Sequence, residues 1–290
     1  PHLAAELRAR GMAVATWAEV TGSSADDWRG LSTVGEVCDQ LRRVRPKLVY
    51  LLEGVQSARA CDREPAEAWL RNVAIPSAFL EGVSAAPGNP RLVLWQSAEV
   101  HGPLVSVPIR EDSPLRPRTQ YGMSKAAAHA SAVFYRRSRG TDVIQVTTLN
   151  QVGPGQGLDF IVPSICSRIA LAEARGQDLC QIDLDDPDVE RDFTDVKDVA
   201  RAFAIAGLSG TTGRSYICST GAAIAIRDLV LCAESFSQVK VEIIGRRQGR
   251  TGAAPILFGD SSSLRRLGWA PTTPIEDSVR ATLEFERHRA

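Results

Sequence analysis

Along the first half of the chain, short runs of apolar and β-branched residues alternate with longer stretches whose apolar positions recur at helical spacing. The runs are "MAVATW" from Met12, "KLVYLLE" from Lys47, "RLVLWQS" from Arg91 and "DVIQVTTLN" from Asp142. The stretches between them, "VGEVCDQLRRVRP", "AEAWLRNVAIPSAFLEGV" and "YGMSKAAAHASAVFYRR", predict helices. Near-continuous apolar strands separated by helices predict an α/β fold with a doubly wound parallel sheet. Such a sheet is covered on both faces and carries its site at the carboxyl ends of the strands. The opening "PHLAAELRARG" reads as a helix closing at Gly11. A helix there, followed by a strand, has the pattern of a β-α-β unit without its first strand.

Beyond residue 150 the pattern loosens. "NQVGPGQG" is a Gly/Pro loop, followed by a helix from Pro163 to Arg175. The polar segment "DLDDPDVERDFTD", whose "DLDDPD" reads as a solvated loop, precedes the helix "VKDVARAFAIAGL". Two short strands, "SYICST" and "VKVEIIG", and three helices, "IRDLVLCAESF", "SSSLRRLG" and "PIEDSVRATLEFERH", complete the chain. The predicted organisation is a first domain over 1–157, joined by roughly 193–218, and a smaller α/β lobe over 158–290.

A chain of 290 residues with 34 basic against 34 acidic side chains gives no electrostatic reason to bind nucleic acid. No apolar run approaches the length of a membrane span, and no secretory signal opens the sequence. Six cysteines lie in apolar, periodic segments without C-x-x-C pairs, and with four scattered histidines they predict neither a metal site nor a disulfide framework. A reducing cytoplasm is the expected compartment.

Candidate chemistry centres on Tyr121 and Lys125, which share one helix face at i and i+4. The strand ending at Ser97 and the start of this helix both fall on the ligand-binding edge, so Ser97 and Tyr121 can converge. A phenol is a poor acid-base group at its usual pKa of about 10. A neighbouring ammonium is expected to lower that value, and Ser97 can donate a hydrogen bond to an oxygen as charge develops on it. Together they form a proton-delivery device for a carbonyl or an alcohol, with the hydride left to a cofactor.

The motifs "SAEVHG", "YGMSK", "NQVGPGQ" and "ERDFTDVKDVARAF", in this order, resemble the extended short-chain dehydrogenase/reductase family of nucleotide-sugar enzymes. Within it the chain is most similar to the GDP-4-dehydro-6-deoxy-mannose reductases, with the GDP-mannose 4,6-dehydratases next. The similarity runs through "GDSSSLRRLGWAPTTPIEDSVRATLEF" near the C-terminus. It implies a Rossmann-like fold, NADP as cofactor with NAD as the other choice, a GDP-linked sugar substrate and a homodimer built on the Tyr121 helix and the Ala66–Gly82 helix. It also implies roles: Ser97, Tyr121 and Lys125 catalytic, and Gly54, Asn72 and Asn150 beside the cofactor. Lys125 would also hold the nicotinamide ribose. Asn150 and the loop to Gln156 would close over the sugar, Phe160, Val162 and Pro163 would line the base, and Arg191 and Arg250 would take the diphosphate. Asn72 serves equally as a helix-start hydrogen bond, and Arg191 as a surface ion pair with Glu190, Asp192 or Asp195. His101 and tryptophans 28, 69, 95 and 269 read as structural.

Glu99 keeps the Ser-x-Glu spacing that in dehydratase relatives supplies a base, so a 4,6-dehydratase or 4-epimerase reaction stands beside reduction. The family's opening strand and glycine loop are absent before Pro1, which predicts a fragment lacking roughly a dozen or more residues. The alternative is a cofactor-incompetent relative acting as a binding subunit. Glu53, where the family has a small residue against the cofactor, and Gln96, where Ser or Gly is usual, are further departures. "TWAEVTG" shows neither an acid for a ribose hydroxyl nor an arginine for a 2′-phosphate, which leaves NAD against NADP open.

Overall fold

The computed structural model of the protein describes residues 1–21, 34–103, 107–245 and 254–290. At its centre four parallel strands lie in the order Leu48–Leu51, Arg91–Ser97, Val143–Thr148 and Ser215–Cys218. Register pairs Leu51 with Leu94, Ser97 with Thr148, and Thr148 with Cys218, so the strands end together on one edge. All six residues of Val143–Thr148 are buried, as a central parallel strand with covered faces requires.

Side-chain alternation along Arg91–Ser97 divides the two faces. Leu92 and Leu94 pack with Val37 and Leu41 of the Val34–Val44 helix and with Ile75, Phe79 and Val83 of the Ile75–Ala85 helix. Val93 and Trp95 face the other way, towards Val199 and Phe203 of the Val196–Ser209 helix and the buried Trp269. A separate apolar core joins the Ile161–Ala174, Ile226–Ser235 and Ile275–Arg287 helices through Ile165, Ile169, Leu229, Val279 and Leu283.

Three local expectations change. Met12–Ala15 of "MAVATW" keeps the alternating exposure of a strand but has no ladder, and a helix starts at Trp17. A strand exists only through its neighbour's hydrogen bonds, and Leu48–Leu51 pairs among the described residues with Arg91–Ser97 alone. Instead Trp17 packs edge-on against Phe79, with centroids 5.4 Å apart. The single helix expected over "AEAWLRNVAIPSAFLEGV" is interrupted by a π turn at Leu70–Ala74, where the Ile75 N–H bonds to the Leu70 carbonyl. Pro76 explains it: without an N–H, proline cannot bond the Asn72 carbonyl, and its ring crowds that turn. Finally, Leu179–Leu184 is a strand, paired in parallel with Lys240–Gly245, so Asp183 and Leu184 of "DLDDPD" lie in a sheet.

Candidate active site

Ser97 ends its strand and caps the short 3-10 turn Ala98–His101, its hydroxyl accepting from the Glu99 N–H at 3.2 Å. The Gln120–Arg139 helix begins nearby, capped by Thr119, whose hydroxyl accepts from the Gly122 N–H at 2.9 Å. A Cβ on Gly122 would sit 2.6 Å from the Glu99 carbonyl oxygen, so only glycine lets the helix dock this closely on the Ser97 turn. The docking brings Tyr121 to Ser97, whose side chain is close enough to act on the phenol. Gln96 ties the elements from the opposite face: its amide donates to the Lys125 carbonyl at 2.9 Å and accepts from the Ser97 N–H at 3.0 Å. Ser97, Tyr121 and Lys125 therefore come together as expected, and all three are buried.

Burial dominates their electrostatics. It pushes the Tyr121 phenol well above its ordinary value; the Ser97 side chain opposes this, while Glu99 and Cys61 add to it. Burial also pushes Lys125 down to about 8, against the pull of Cys61 and Glu53. The expected lowering of the phenol is thus corrected: its net shift is upward, with desolvation the largest cause. At neutral pH the phenol is protonated and is a proton donor to whatever lies against it.

Gly54 lies beyond the end of Leu48–Leu51 with φ of +148°. A Cβ there would be 2.5 Å from Asn72 Oδ1 and 3.4 Å from Lys125 Nζ. Asn72 sits fully buried in the π turn, its amide donating to the Val55 carbonyl at 3.1 Å and to the Ser124 hydroxyl at 2.9 Å. Its Oδ1 has no hydrogen-bond partner. Asn72 therefore does not make a helix-start bond; it faces the site. A narrow glycine cradle, an orphaned amide oxygen and an ammonium converge here, a donor and acceptor set that fits the ribose end of a nicotinamide cofactor. Glu53 is drawn aside by Arg71, whose Nε reaches Oε1 at 2.7 Å.

Glu99 is exposed, its Oε2 accepting from the Thr119 hydroxyl at 3.5 Å, and its charge acts through space on both Tyr121 and Arg191. Arg191 is half-buried and donates to the Glu190 carbonyl at 2.7 Å, and it has no carboxylate ion pair among the described residues. Asp192, its neighbour, is fully buried and receives the hydroxyls of Ser219 and Thr220 and the Gly221 N–H, which excludes it as the surface partner. Asn150 donates to the Asp192 carbonyl at 3.0 Å. Phe160 is half-buried at the head of its helix, whereas Val162 and Pro163 are buried, Val162 within the apolar core. Arg250 and Trp28 lie outside the described residues. His101 is buried with Nδ1 3.2 Å from the Pro114 carbonyl, and Trp269 donates to the Asp198 carbonyl at 2.9 Å, both structural as expected. Trp69, by contrast, is 46% exposed.

Two participants escaped the sequence reading. Cys61 packs with Tyr121 and was counted only as one of six apolar cysteines. Trp95 carries the Lys125 ammonium over its ring, Nζ lying 4.2 Å from the centroid. Its signal was positional: two residues before Ser97 on one strand, it must share the Ser97 face.

A model of the family described as GDP-mannose 4,6 dehydratase matches residues 31–282. The chain is 27% identical to the GDP-6-deoxy-D-mannose reductase of Pseudomonas aeruginosa, over 97% of this chain and 91% of that protein. It is 24% identical to a GDP-mannose 4,6-dehydratase of Yersinia enterocolitica, over 62% and 56% of the respective lengths. Among solved structures, RMD from Pseudomonas aeruginosa complexed with NADPH superposes with a TM-score of 0.85 at 26% identity, covering 99% of this chain and 95% of that one.

Proposed function

The chain belongs to the GDP-mannose 4,6 dehydratase family, and from that premise we propose that it reduces the C4 ketone of a GDP-linked 4-keto-6-deoxyhexose with NADPH. The observation that carries this reading is the convergence of Ser97, Tyr121 and Lys125, sealed from solvent at the end of the sheet, with a phenol that is a proton donor at neutral pH. A reductase needs an acid at the substrate oxygen; an enzyme that starts by oxidising an alcohol needs a base. The named reductase of Pseudomonas aeruginosa and the NADPH in its related structure support the substrate and cofactor.

In this mechanism Ser97 and Tyr121 orient the C4 carbonyl by hydrogen bonds to its oxygen, and Tyr121 gives that oxygen its proton as charge develops there. NADPH, when bound, supplies the hydride. Gly54, Asn72 and Lys125 would hold its ribose end, and burial of the pair keeps water from competing for the proton. Arg191, near enough to Glu99 to feel its charge, is the candidate for the diphosphate, with Phe160 the candidate for the base. The 158–290 lobe would thus carry the nucleotide.

Tyr121→Phe tests the assignment. Turnover of a GDP-4-keto-6-deoxyhexose should fall on the order of 10³-fold, with GDP and NADPH still bound; near-normal turnover would refute the role.

A second reading is favoured by one feature, the Glu99 carboxylate, whose charge acts on Tyr121. It is a 4,6-dehydratase or 4-epimerase in which Glu99 removes a proton next to the ketone. Assembly and compartment are also proposals: a homodimer on the exposed Trp69, Met123 and Phe134, in a reducing cytoplasm that suits six free cysteines.

A further inference from the structure

We propose that Trp95 is a positioning residue of the reducing site: its indole face, pinned by Thr148, holds the Lys125 ammonium at the mouth of the sheet. The inference rests on Lys125 belonging to the site proposed above and extends it to a residue that the Tyr-Lys motif does not contain.

Lys125 is buried, and an ammonium removed from water needs compensation. The titratable and charged groups facing it are Tyr121 on its own helix, Cys61 on the Ala58–Arg63 helix and Glu53 after the first strand. Tyr121 is held protonated, and burial pushes the Cys61 thiol up, so the pull of Cys61 and Glu53 on the ammonium falls short of its desolvation. Glu53 is bonded to Arg71 on the π turn. Among the described residues no carboxylate forms an ion pair with Nζ. What lies against it is the Trp95 ring, 4.2 Å from Nζ to centroid, within the range where a ring quadrupole attracts a desolvated cation.

The ring is itself fixed. Its Nε1–H donates to Thr148 Oγ1 at 2.8 Å, and the same oxygen receives the Gln151 amide at 3.0 Å. Thr148 is the register partner of Ser97, so the indole plane is set relative to the Ser97 hydroxyl beside Tyr121. Trp95 thus does for Lys125 what a carboxylate does elsewhere, without placing a second negative charge near a developing alkoxide. Removing the π face should cost the charged form of Lys125 specifically, whereas lost packing alone would not change its titration.

The test uses the ligand-free chain with its four lysines isotope-labelled at Cε and titrated by NMR, Lys125 being assigned by the signal lost in Lys125→Met. The native midpoint is expected at about 8. Trp95→Leu, and Trp95→Met as a second non-aromatic replacement, should move it down by about one pH unit, and Trp95→Phe should leave it near the native value. An unmoved or raised midpoint in the non-aromatic variants, or an equal fall in Trp95→Phe, overturns the inference. No catalysis is read, so this outcome leaves the reductase assignment standing, and an inactive protein with the expected titrations would remove that assignment instead.

Discussion

Tyr121 and Lys125 stand one helical turn apart and are both nearly sealed from solvent, so each is driven towards its uncharged form. The phenol is pushed up and stays protonated, while the ammonium, brought down to about 8, is lost as pH rises through that value. Reduction should therefore hold across the neutral range and fall on the alkaline side around pH 8, which a pH profile of kcat/KM would show. A profile flat well beyond that value would contradict the burial argument. Gly54→Ala belongs to the same scale. Its Cβ would press on Asn72 Oδ1 at 2.5 Å, so weakened NADPH binding is expected by fluorescence titration, with a smaller effect on GDP. The residues of this site were legible because motif spacing fixes which atoms meet. The direction of the phenol shift was not, since how deeply an element end is buried leaves no periodic trace in sequence.

At the scale of elements, the four strands of the central sheet were read correctly, unlike "MAVATW", and so was the Gln120–Arg139 helix, whereas the Ser57-capped helix Ala58–Arg63 and the short paired strand Asn150–Val152 were not. Other failures depended on partners distant in sequence. "MAVATW" has the right letters without a ladder, and "LCQIDL", with alternating exposure, was hidden inside an acidic stretch. The π turn that presents Asn72 follows from one proline, a signal present but not weighed. Helix ties in the second core can be tested directly. Glu173 on Ile161–Ala174 accepts a bidentate bond from Arg287 on Ile275–Arg287, at 2.7 and 2.8 Å, and a third from the Ser237 hydroxyl at 2.7 Å. These bonds, the Arg287 bond first, hold its carboxyl down at about 2 against an ordinary 4.5. A depressed folded-state value means stability that is present above 4.5 and lost as pH falls towards 2. Glu173→Gln should cost about 1 kcal/mol at neutral pH, since solvent screens the exposed Arg287 end of the pair. In denaturant unfolding the gap from the native protein should close across that acid window; a gap independent of pH would point to packing alone.

For the whole molecule, the sheet places Ser97, Thr148 and Gly54 along one edge, and the second core stands beyond it with Arg191 and Phe160 on its near elements. Trp69, Met123 and Phe134 remain on the outside, at 46%, 42% and 56% exposure, on the two helices expected to pair. Phe134→Glu should convert a dimer to a monomer in light scattering; a native protein that is already monomeric would exclude that assembly. The doubly wound arrangement could be read from alternating strands and helices, but the choice of reaction could not, because Glu99 and Tyr121 have the same letters in reductases and dehydratases. That choice is tested most directly by following nicotinamide absorbance with NADPH and a GDP-4-keto-6-deoxyhexose, beside a mixture with GDP-mannose and no reductant. The account predicts stoichiometric NADPH consumption in the first and no product in the second. A 4-keto sugar formed from GDP-mannose alone, or NADPH left unconsumed by the keto sugar, would contradict it.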